Sequence, residues 1–223
     1  MRLLYLAPRG GDILALHLVD EFDYVAMVGD VVPEPFPESM VFHRWRKNHR
    51  LYDLIAAHRP DAVLLLLPWQ EKPWLSDLLE EIGKAGLPFL MIGVAGGEVP
   101  PDSGPVISLQ CLPSRTGDDP LSVSLATGKV LLPESVAERE LGCPDLREVT
   151  SRVRSFFDDG RLPDLPDVTL KSLKDYLEEE SVEVKVVSDK WPPRLVGLMA
   201  KLSGAVYWPP SVWERYFKQV GRL

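Results

Sequence analysis

The first twelve residues constrain the fold most, because they join a short apolar run to a glycine turn and the start of a helix. Leu3 to Ala7 is apolar, Gly10-Gly11 follows, and helically spaced apolar residues run from Asp12 to Phe22. This order predicts a buried strand, a tight turn and a helix with Asp12 as its N-cap. In an open α/β sheet, ligands bind where such turns leave the carboxyl ends of strands. We therefore expect a site at this turn.

The alternation of strand and helix patterns continues through the first hundred residues. Further strands are predicted at 24–28, 62–67 and 88–94, and helices at 39–58 and 73–86. The run from Ala62 to Leu67 is entirely apolar, which is typical of a strand covered on both faces. The order predicts an α/β fold: a doubly wound, Rossmann-like domain with a mainly parallel sheet.

The pattern changes after Pro100. Short strands are predicted at 106–112, 121–126 and 130–132, and we expect them to add an antiparallel edge to the sheet. A helix is predicted at 144–157, and the run of Asp, Gly and Pro at 158–166 is typical of a linker. The expected domains are therefore a Rossmann-like domain at 1–160 and a smaller, mixed, mostly helical extension at 161–223.

The extension contains a predicted helix at 170–180, a strand at 182–187 and two apolar helices at 194–202 and 211–220. Each of the last two helices carries an apolar stripe. The stripes consist of Leu195, Leu198, Met199 and Leu202, and of Trp213, Phe217 and Val220. Such stripes usually face a core. The alternative is a subunit interface, which would make the protein a homo-oligomer through its C-terminal region.

Composition excludes some classes of function. The formal net charge of −8 disfavours general nucleic-acid binding, which needs a basic surface. The longest apolar run, Ala62 to Pro68, is too short to span a bilayer, and no convincing signal peptide is found. We expect a cytoplasmic protein without a membrane partner. Two cysteines make neither a disulfide framework nor a zinc module, and the sequence names no cofactor and no metal site.

The candidate ligand-binding residues lie at two glycine turns. Arg9, Gly10, Gly11 and Asp12 follow the first strand, and Gly96-Gly97 follows the predicted strand at 88–94. Strand order 3-2-1-4 would place both turns in one crevice, whereas a flavodoxin-like order would bring the first turn opposite 68–70. A helix N-terminus offers amide hydrogens to a phosphate or carboxylate, so we expect an anionic small molecule such as a nucleotide. The alternative is that both are tight turns only.

The run from His43 to Arg50 is densely basic in an otherwise acidic chain. On the predicted helix, His43, Arg46 and Arg50 share one face, with Lys47 beside them. Arginines there could hold a phosphate with paired donors, and Arg46 and Arg50 are therefore candidate ligand-binding residues. The alternative is a solvated outer face of an amphipathic helix.

Cys111 and Cys143 are the candidate catalytic residues. Cys143 precedes a predicted helix that begins near Pro144, and a thiol at a helix N-terminus has a lowered pKa and is more nucleophilic. Cys111 ends a predicted strand. The alternative for each is a buried, inert thiol.

The run from Leu121 to Val130, followed by Gly142-Cys143-Pro144, resembles an uncharacterised archaeal family described as thymidylate synthases. The resemblance covers about half of the chain. That family has a Rossmann-like first half, a cysteine near the position of Cys111, and a strand–Gly-Lys–strand–Gly-Cys order. The resemblance implies transfer of a one-carbon unit to a pyrimidine nucleotide, with a thiolate that attacks the ring and an anion site for the phosphate. Cys143 and Cys111, with Arg9 and Arg46, would supply these groups.

Two functional hypotheses follow from these features. The first is an enzyme, a transferase, that binds an anionic small molecule or nucleotide at the glycine turns. The second is a non-catalytic interaction subunit that docks a partner protein or a specific RNA through its basic helix and aromatic tail. Reactive groups clustered in a crevice favour the enzyme, and an exposed aromatic tail favours the subunit.

Overall fold

In a computed structural model, the chain forms two compact units. One comprises residues 1–112 and 146–167, and the other 113–145 and 168–223. The second unit is thus built from two separate stretches, whereas the sequence suggested a boundary between residues 160 and 161. The structure describes residues 1–7, 10–44, 50–67, 72–94, 104–109, 112, 114–115, 117–141, 145–161 and 171–220. Within these ranges, no helix has both the length and the apolar character needed to cross a bilayer.

The first unit is built on a six-stranded sheet in which every pairing is parallel. Its strands are β1 (Arg2–Ala7), β2 (Tyr24–Gly29), β3 (Met40–Arg44), β4 (Ala62–Leu67), β5 (Phe89–Val94) and β6 (Val106–Leu109). Their spatial order is β3-β2-β1-β4-β5-β6. This is the order of dinucleotide-binding folds, so the predicted doubly wound, Rossmann-like architecture is confirmed.

Among the described residues, the helices of the first unit are α1 (Asp12–Glu21), α2 (Leu51–His58), α3 (Lys72–Ala85) and α6 (Leu146–Asp159). Leu54 of α2 and Ile82 of α3 pack against the apolar residues of β1, β2 and β4. All six residues of β4 are buried, as expected of a strand covered on both faces. Helix α6 packs against α1, where Arg154 Nη1 donates a 3.0 Å hydrogen bond to the carbonyl of Glu21.

The predicted helix at 39–58 is wrong over its first turns. Residues 40–44 form β3, an edge strand that pairs with β2, and α2 begins only at Leu51. Met40, Val41 and Phe42 favour a strand, and hydrogen bonding to β2 decides in favour of it. The aromatic residues of this stretch happen to recur at helical spacing, which hid the strand.

The predicted antiparallel edge is also wrong. Strand β6 joins the sheet parallel to β5, and the predicted strand at 121–126 is a helix, α4 (Pro120–Thr127). Asp119 caps this helix, because its Oδ1 accepts from the backbone N–H groups of Leu121 and Ser122, at 3.0 Å each. Pro120 stands in the first turn, where its missing N–H costs nothing.

The second unit has its own sheet of three parallel strands in the order β8-β7-β9. The strands are β7 (Lys129–Pro133), β8 (Glu183–Val187) and β9 (Val206–Tyr207). Besides α4, the helices are α5 (Glu134–Ala137), α7 (Leu173–Glu179), α8 (Pro193–Ser203) and α9 (Pro210–Val220). The predicted helix at 170–180 and strand at 182–187 correspond to α7 and β8.

The two apolar stripes of the tail have different outcomes. In α9, Trp213 and Phe217 are buried as predicted, and the side chain of Val220 lies outside the described part. In α8 the predicted core stripe is wrong for Leu195, Leu198 and Leu202, which are exposed, whereas its fourth member, Met199, is partly buried and packs against the core. The helix instead buries Val196 and Ala200 against Leu131 and Val187. These smaller side chains let α8 approach its sheet closely.

Candidate functional site

The turn between β1 and α1 stands at the point where the strand order of the first unit reverses. Strand β1 lies between β2 and β4, and its connection leads into α1 at Asp12. Gly10 and Gly11 adopt left-handed φ values of 67° and 76°. The carbonyl of Gly11 accepts a 3.0 Å hydrogen bond from the amide of Ala15, which starts the helix. The turn therefore occupies the position where open α/β sheets bind their ligands.

Asp30, the residue that follows β2, is held against this turn. Its Oδ1 accepts a 3.0 Å hydrogen bond from the amide of Gly10. The side chain of Asp30 is exposed, and an ionised carboxylate can accept further hydrogen bonds after this one. In folds with this strand order, an acidic residue about 20 positions after the glycine turn accepts from ribose hydroxyls. Asp30 holds that place in the present chain.

A buried layer supports the turn from below. Tyr5 is fully buried, and its hydroxyl donates to the carbonyl of Gly11 at 3.3 Å. Burial, and then the nearby Asp12 carboxylate, raise the pKa of Tyr5 well above its ordinary value, so the phenol remains a hydrogen-bond donor. Asp12 is only 1% exposed and stands in the first turn of α1, where a negative charge interacts favourably with the helix dipole.

The position of Asp12 changes what this site can recognise. A carboxylate in the first turn offsets the positive end of the helix dipole and lowers its attraction for a phosphate. Asp12 is thus a structural neighbour of the turn and a poor direct contact for an anion. A nucleotide would accordingly be recognised chiefly through its sugar hydroxyls, on the side of Asp30.

Two arginines belong to the part of the chain that follows Asp30, one at the carboxyl end of β3 and one at the start of α2. Arg44 ends β3 and is in register with Gly29, the residue before Asp30. Arg50 is the N-cap residue of α2, directly after the connection that leaves the carboxyl end of β3. Both side chains are exposed. In the fold with this strand order, an arginine near the acidic residue accommodates a phosphate on the ribose.

The structure brings only some of the predicted site residues together. Gly10 and Gly11 lead directly into α1; Gly11 is its N-cap residue, and Asp12, which was predicted as the N-cap, is its first residue. Arg50 is the N-cap residue of α2. The strand before Gly96-Gly97, β5, lies between β4 and β6, so the first and fourth predicted strands are not neighbours, as a shared crevice would require. The neighbour of β1 on this side is β4, the strand that precedes 68–70. The remaining predicted residues, namely Arg9, Arg46, Gly96, Gly97, Cys111 and Cys143, lie outside the described residues.

The basic run is not one helical face. His43 and Arg44 belong to β3, and Arg50 precedes α2. His43 instead joins a cluster with His58 and Tyr24. The Nε2 atoms of the two histidines are 2.6 Å apart, and Nδ1 of His58 lies 2.8 Å from the hydroxyl of Tyr24.

Arg2 completes this cluster at the beginning of the sheet. Its Nε donates a 2.9 Å hydrogen bond to the carbonyl of His58, and its guanidinium lies 4.1 Å from the centroid of the Tyr24 ring. Burial lowers the pKa of His58, and His43 and Arg2 lower it further. Arg2 and Tyr24 are the first residues of β1 and β2 and His58 is the last residue of α2, whereas ligands bind at the carboxyl ends of the strands; of the cluster, only His43 lies toward a carboxyl end, in register with Val28. We interpret the cluster as the anchor that fixes the end of α2.

The cluster predicts a pH dependence of stability. Because the pKa of His58 is lower in the folded protein, the unfolded chain takes up the proton first as pH falls. The stabilisation is complete above the ordinary pKa of 6.5 and is lost as pH falls from there through the folded pKa. We expect the free energy of unfolding to decrease as the pH is lowered from 6.5. For one proton, the decrease is no more than about 1.4 kcal/mol per pH unit.

Urea denaturation of the wild type and of His58→Gln between pH 7.5 and pH 5 would measure this slope. The variant should show a shallower dependence on pH, whatever its absolute stability. Equal slopes in the two proteins would contradict the role assigned to His58.

Asp30 and Arg44 were not among the residues predicted from sequence. For Asp30 a signal was present: Gly29-Asp30 closes the second strand, 20 positions after Gly10. Arg44 cannot be placed from the sequence, because the pattern around it predicts a helix where the chain forms β3. Among the described residues, no cluster of three or more His, Cys, Asp or Glu side chains is arranged to hold a metal ion.

The chain matches no model of a protein family, and no curated protein matches it. Function is therefore inferred from the fold and from the turn between β1 and α1, with Asp30 beside it.

Proposed function

We propose that the first unit binds a ribonucleotide at the carboxyl ends of β1, β2 and β3. The observation that carries the proposal is the hydrogen bond from the Gly10 amide to Asp30, which fixes a carboxylate beside a glycine turn in a sheet of order 3-2-1-4-5-6. In this arrangement Asp30 accepts hydrogen bonds from the ribose hydroxyls. The base lies along the sheet edge, and an anionic group of the ligand faces Arg44 or Arg50.

The predicted enzymatic role is a further proposal beyond binding. Transfer of a one-carbon unit to a pyrimidine nucleotide needs a thiolate, which Cys143 or Cys111 would provide. Ribonucleotide binding is the part of that function that the described residues support. The described residues give less support to the hypothesis of an interaction subunit that docks through its aromatic tail, because Trp213 and Phe217 of that tail are buried.

Binding can be tested by isothermal titration of the full chain with the four ribonucleoside monophosphates and their 2′-deoxy counterparts. We expect at least one ribonucleotide to bind, and its deoxy counterpart to bind about 10- to 100-fold more weakly. This range corresponds to the loss of one hydrogen bond to a charged group, about 1.5–3 kcal/mol. Thermal stabilisation provides a second readout, since a ligand at 100 times its Kd adds about 2.7 kcal/mol.

Variants of Asp30 separate ligand recognition from support of the turn. Asp30→Asn keeps an oxygen that can accept from Gly10 but removes the charge, so binding should weaken while the fold is retained. Asp30→Ala should bind ribo- and deoxyribonucleotides equally. Asp20→Asn, on the exposed side of α1, is the matched control and should bind like the wild type. If no ribonucleotide binds, or if Asp30→Ala still discriminates against the deoxy ligand, the proposal is refuted.

A further inference from the structure

Helix α8 presents large apolar side chains to solvent. Leu195, Leu198 and Leu202 are 48%, 54% and 79% exposed, although leucine is usually buried. Their spacing of three and four residues places them on one face of the helix, which we call the leucine stripe. Val196 and Ala200 face the sheet instead. A contiguous exposed apolar stripe of this kind is typical of an interaction surface.

A groove lies beside the leucine stripe, between α8 and the strands β7 and β8. It is lined by Val130 and Leu131 of β7, by Met199 and Ser203 of α8, and by three charged residues, Lys129, Glu183 and Lys185, of which Lys129 and Glu183 form an ion pair. Its volume is about 150 Å³. Pockets for small-molecule ligands are larger, about 300–1,000 Å³. The groove is therefore suited to a side chain of a partner rather than to a small-molecule ligand.

The charge around this surface contrasts with that of the chain as a whole. Residues 183–203 contain four basic residues, Lys185, Lys190, Arg194 and Lys201, and two acidic ones, Glu183 and Asp189. This gives a local net charge of +2, whereas the whole chain carries −8. All four basic side chains are exposed, and Arg194 and Lys201 are seven residues apart on α8, along one side of the leucine stripe.

The charge and the shape of this surface together indicate which class of partner it binds. In a dimer of two α8 helices packed antiparallel, Arg194 of one copy would approach Lys201 of the other, which is unfavourable. A bilayer surface would cover the leucine stripe but would not fill the groove beside it. An acidic amphipathic helix satisfies all three features, because its apolar residues meet the stripe, one of them fills the groove, and its carboxylates meet the basic side chains.

We propose that α8 and the adjoining groove dock an acidic amphipathic helix of another protein. The partner lies along α8 with its apolar face on Leu195, Leu198 and Leu202. One of its side chains enters the groove beside Met199. Its carboxylates pair with Arg194 and Lys201, so the interaction weakens as salt is added.

The proposal can be tested by selection from a displayed library of helical peptides of about 15 residues, a length at which isolated helices become stable. Each peptide carries leucines at i, i+3 and i+7, and its flanking positions are randomised. Selection on the full-length protein should enrich Asp and Glu at the flanking positions. Selection on the double variant Arg194→Glu/Lys201→Glu should enrich Lys and Arg instead.

A selected acidic peptide is then titrated by fluorescence polarisation. We expect at least a tenfold weaker Kd for the double variant and for Leu198→Ser/Leu202→Ser. All four altered side chains are exposed, so the fold should be unaffected. Lys218→Glu, an exposed reversal of charge on α9, is the matched control and should bind like the wild type.

Three outcomes overturn the proposal. The first is a selection that enriches no acidic peptide, or a selection whose acidic peptides bind the double variant as tightly as the wild type. The second is co-sedimentation of the wild type, but not of Leu198→Ser/Leu202→Ser, with phosphatidylglycerol vesicles, which would assign the surface to a membrane. The third is a dimer in size-exclusion chromatography with light scattering that Leu198→Ser/Leu202→Ser converts to a monomer, which would assign it to a second copy.

Discussion

Gly11→Ala is expected to lower the free energy of unfolding of the first unit by about 2–5 kcal/mol. Two costs add. The left-handed φ of 76° is unfavourable for a residue with a Cβ, at about 1–2 kcal/mol. The new Cβ would also overlap the Tyr5 hydroxyl and lie 2.8 Å from Cδ2 of Leu66, and overpacking of this kind costs about 1–3 kcal/mol.

Chemical denaturation followed by circular dichroism would measure this loss. Gly86→Ala is the matched control, because Gly86 also has a left-handed φ of 65° but a Cβ there would meet nothing within 4 Å. In the control, the free energy of unfolding should fall only by the cost of the left-handed backbone, about 1–2 kcal/mol. An equal loss in both variants would show that the turn is not packed against Tyr5 and Leu66 as described.

The steric part can be isolated in a Tyr5→Phe background. Phenylalanine removes the hydroxyl that the new Cβ would overlap, at the cost of the hydrogen bond to the Gly11 carbonyl. Gly11→Ala should therefore destabilise the Tyr5→Phe protein less than it destabilises the wild type. This coupling is the interaction free energy of a double-mutant cycle, which amounts to about 0.5–3 kcal/mol for residues in contact.

Much of the first unit could be predicted because its central strands are apolar throughout. Residues 62–67 are all apolar and fully buried in β4, and a strand that is covered on both faces needs this composition. The glycine turn after β1 was recognisable for a similar reason, since close packing below Gly11 leaves no room for a side chain. At these positions the local composition was sufficient to predict the structure.

The edge strand β3 could not be recognised in the same way. An edge strand is covered less completely, and only Met40 of its five residues is buried. Its identity is fixed by hydrogen bonds to β2, which are contacts between distant parts of the chain. Arg44, which is in register with Gly29, could not be placed in the candidate site for the same reason.

Helices α4 and α8 show two different limits of structure prediction from sequence. For α4 a local signal existed, since Asp119-Pro120 is a typical helix start, but the β-branched and apolar residues that follow suggested a strand. For α8 the helix was predicted, and only its orientation was wrong. Periodicity selects the stripe of largest apolar residues, whereas the sheet of the second unit accepts the smaller pair Val196 and Ala200.

Trp213→Ala is expected to lower the free energy of unfolding of the second unit by about 3–5 kcal/mol, the usual cost of truncating a buried aromatic side chain. Trp213 is 0% exposed, and its ring meets that of Tyr216 edge-on, with the centroids 6.0 Å apart. The Phe217 ring lies 6.4 Å from the Trp213 ring and 6.0 Å from the Tyr216 ring, between centroids, and the guanidinium of Arg139 lies 4.4 Å from the Phe217 centroid. Removal of the indole would leave a cavity among these rings.

Trp191→Ala provides the matched control, since the same side chain is 44% exposed there and its loss should cost less than about 1 kcal/mol. Amide hydrogen exchange in β7 measures the stability of the second unit directly. This strand lies between β8 and β9, so its amides exchange only when the sheet opens. Protection of β7 should fall by at least a hundredfold in Trp213→Ala, as about 3 kcal/mol implies, and by less than tenfold in Trp191→Ala. A similar loss of protection in both variants would mean that α9 is not the core element of this unit and that Trp191 is not on its surface. The leucine stripe that follows Trp191 would then have to be reinterpreted as part of the core.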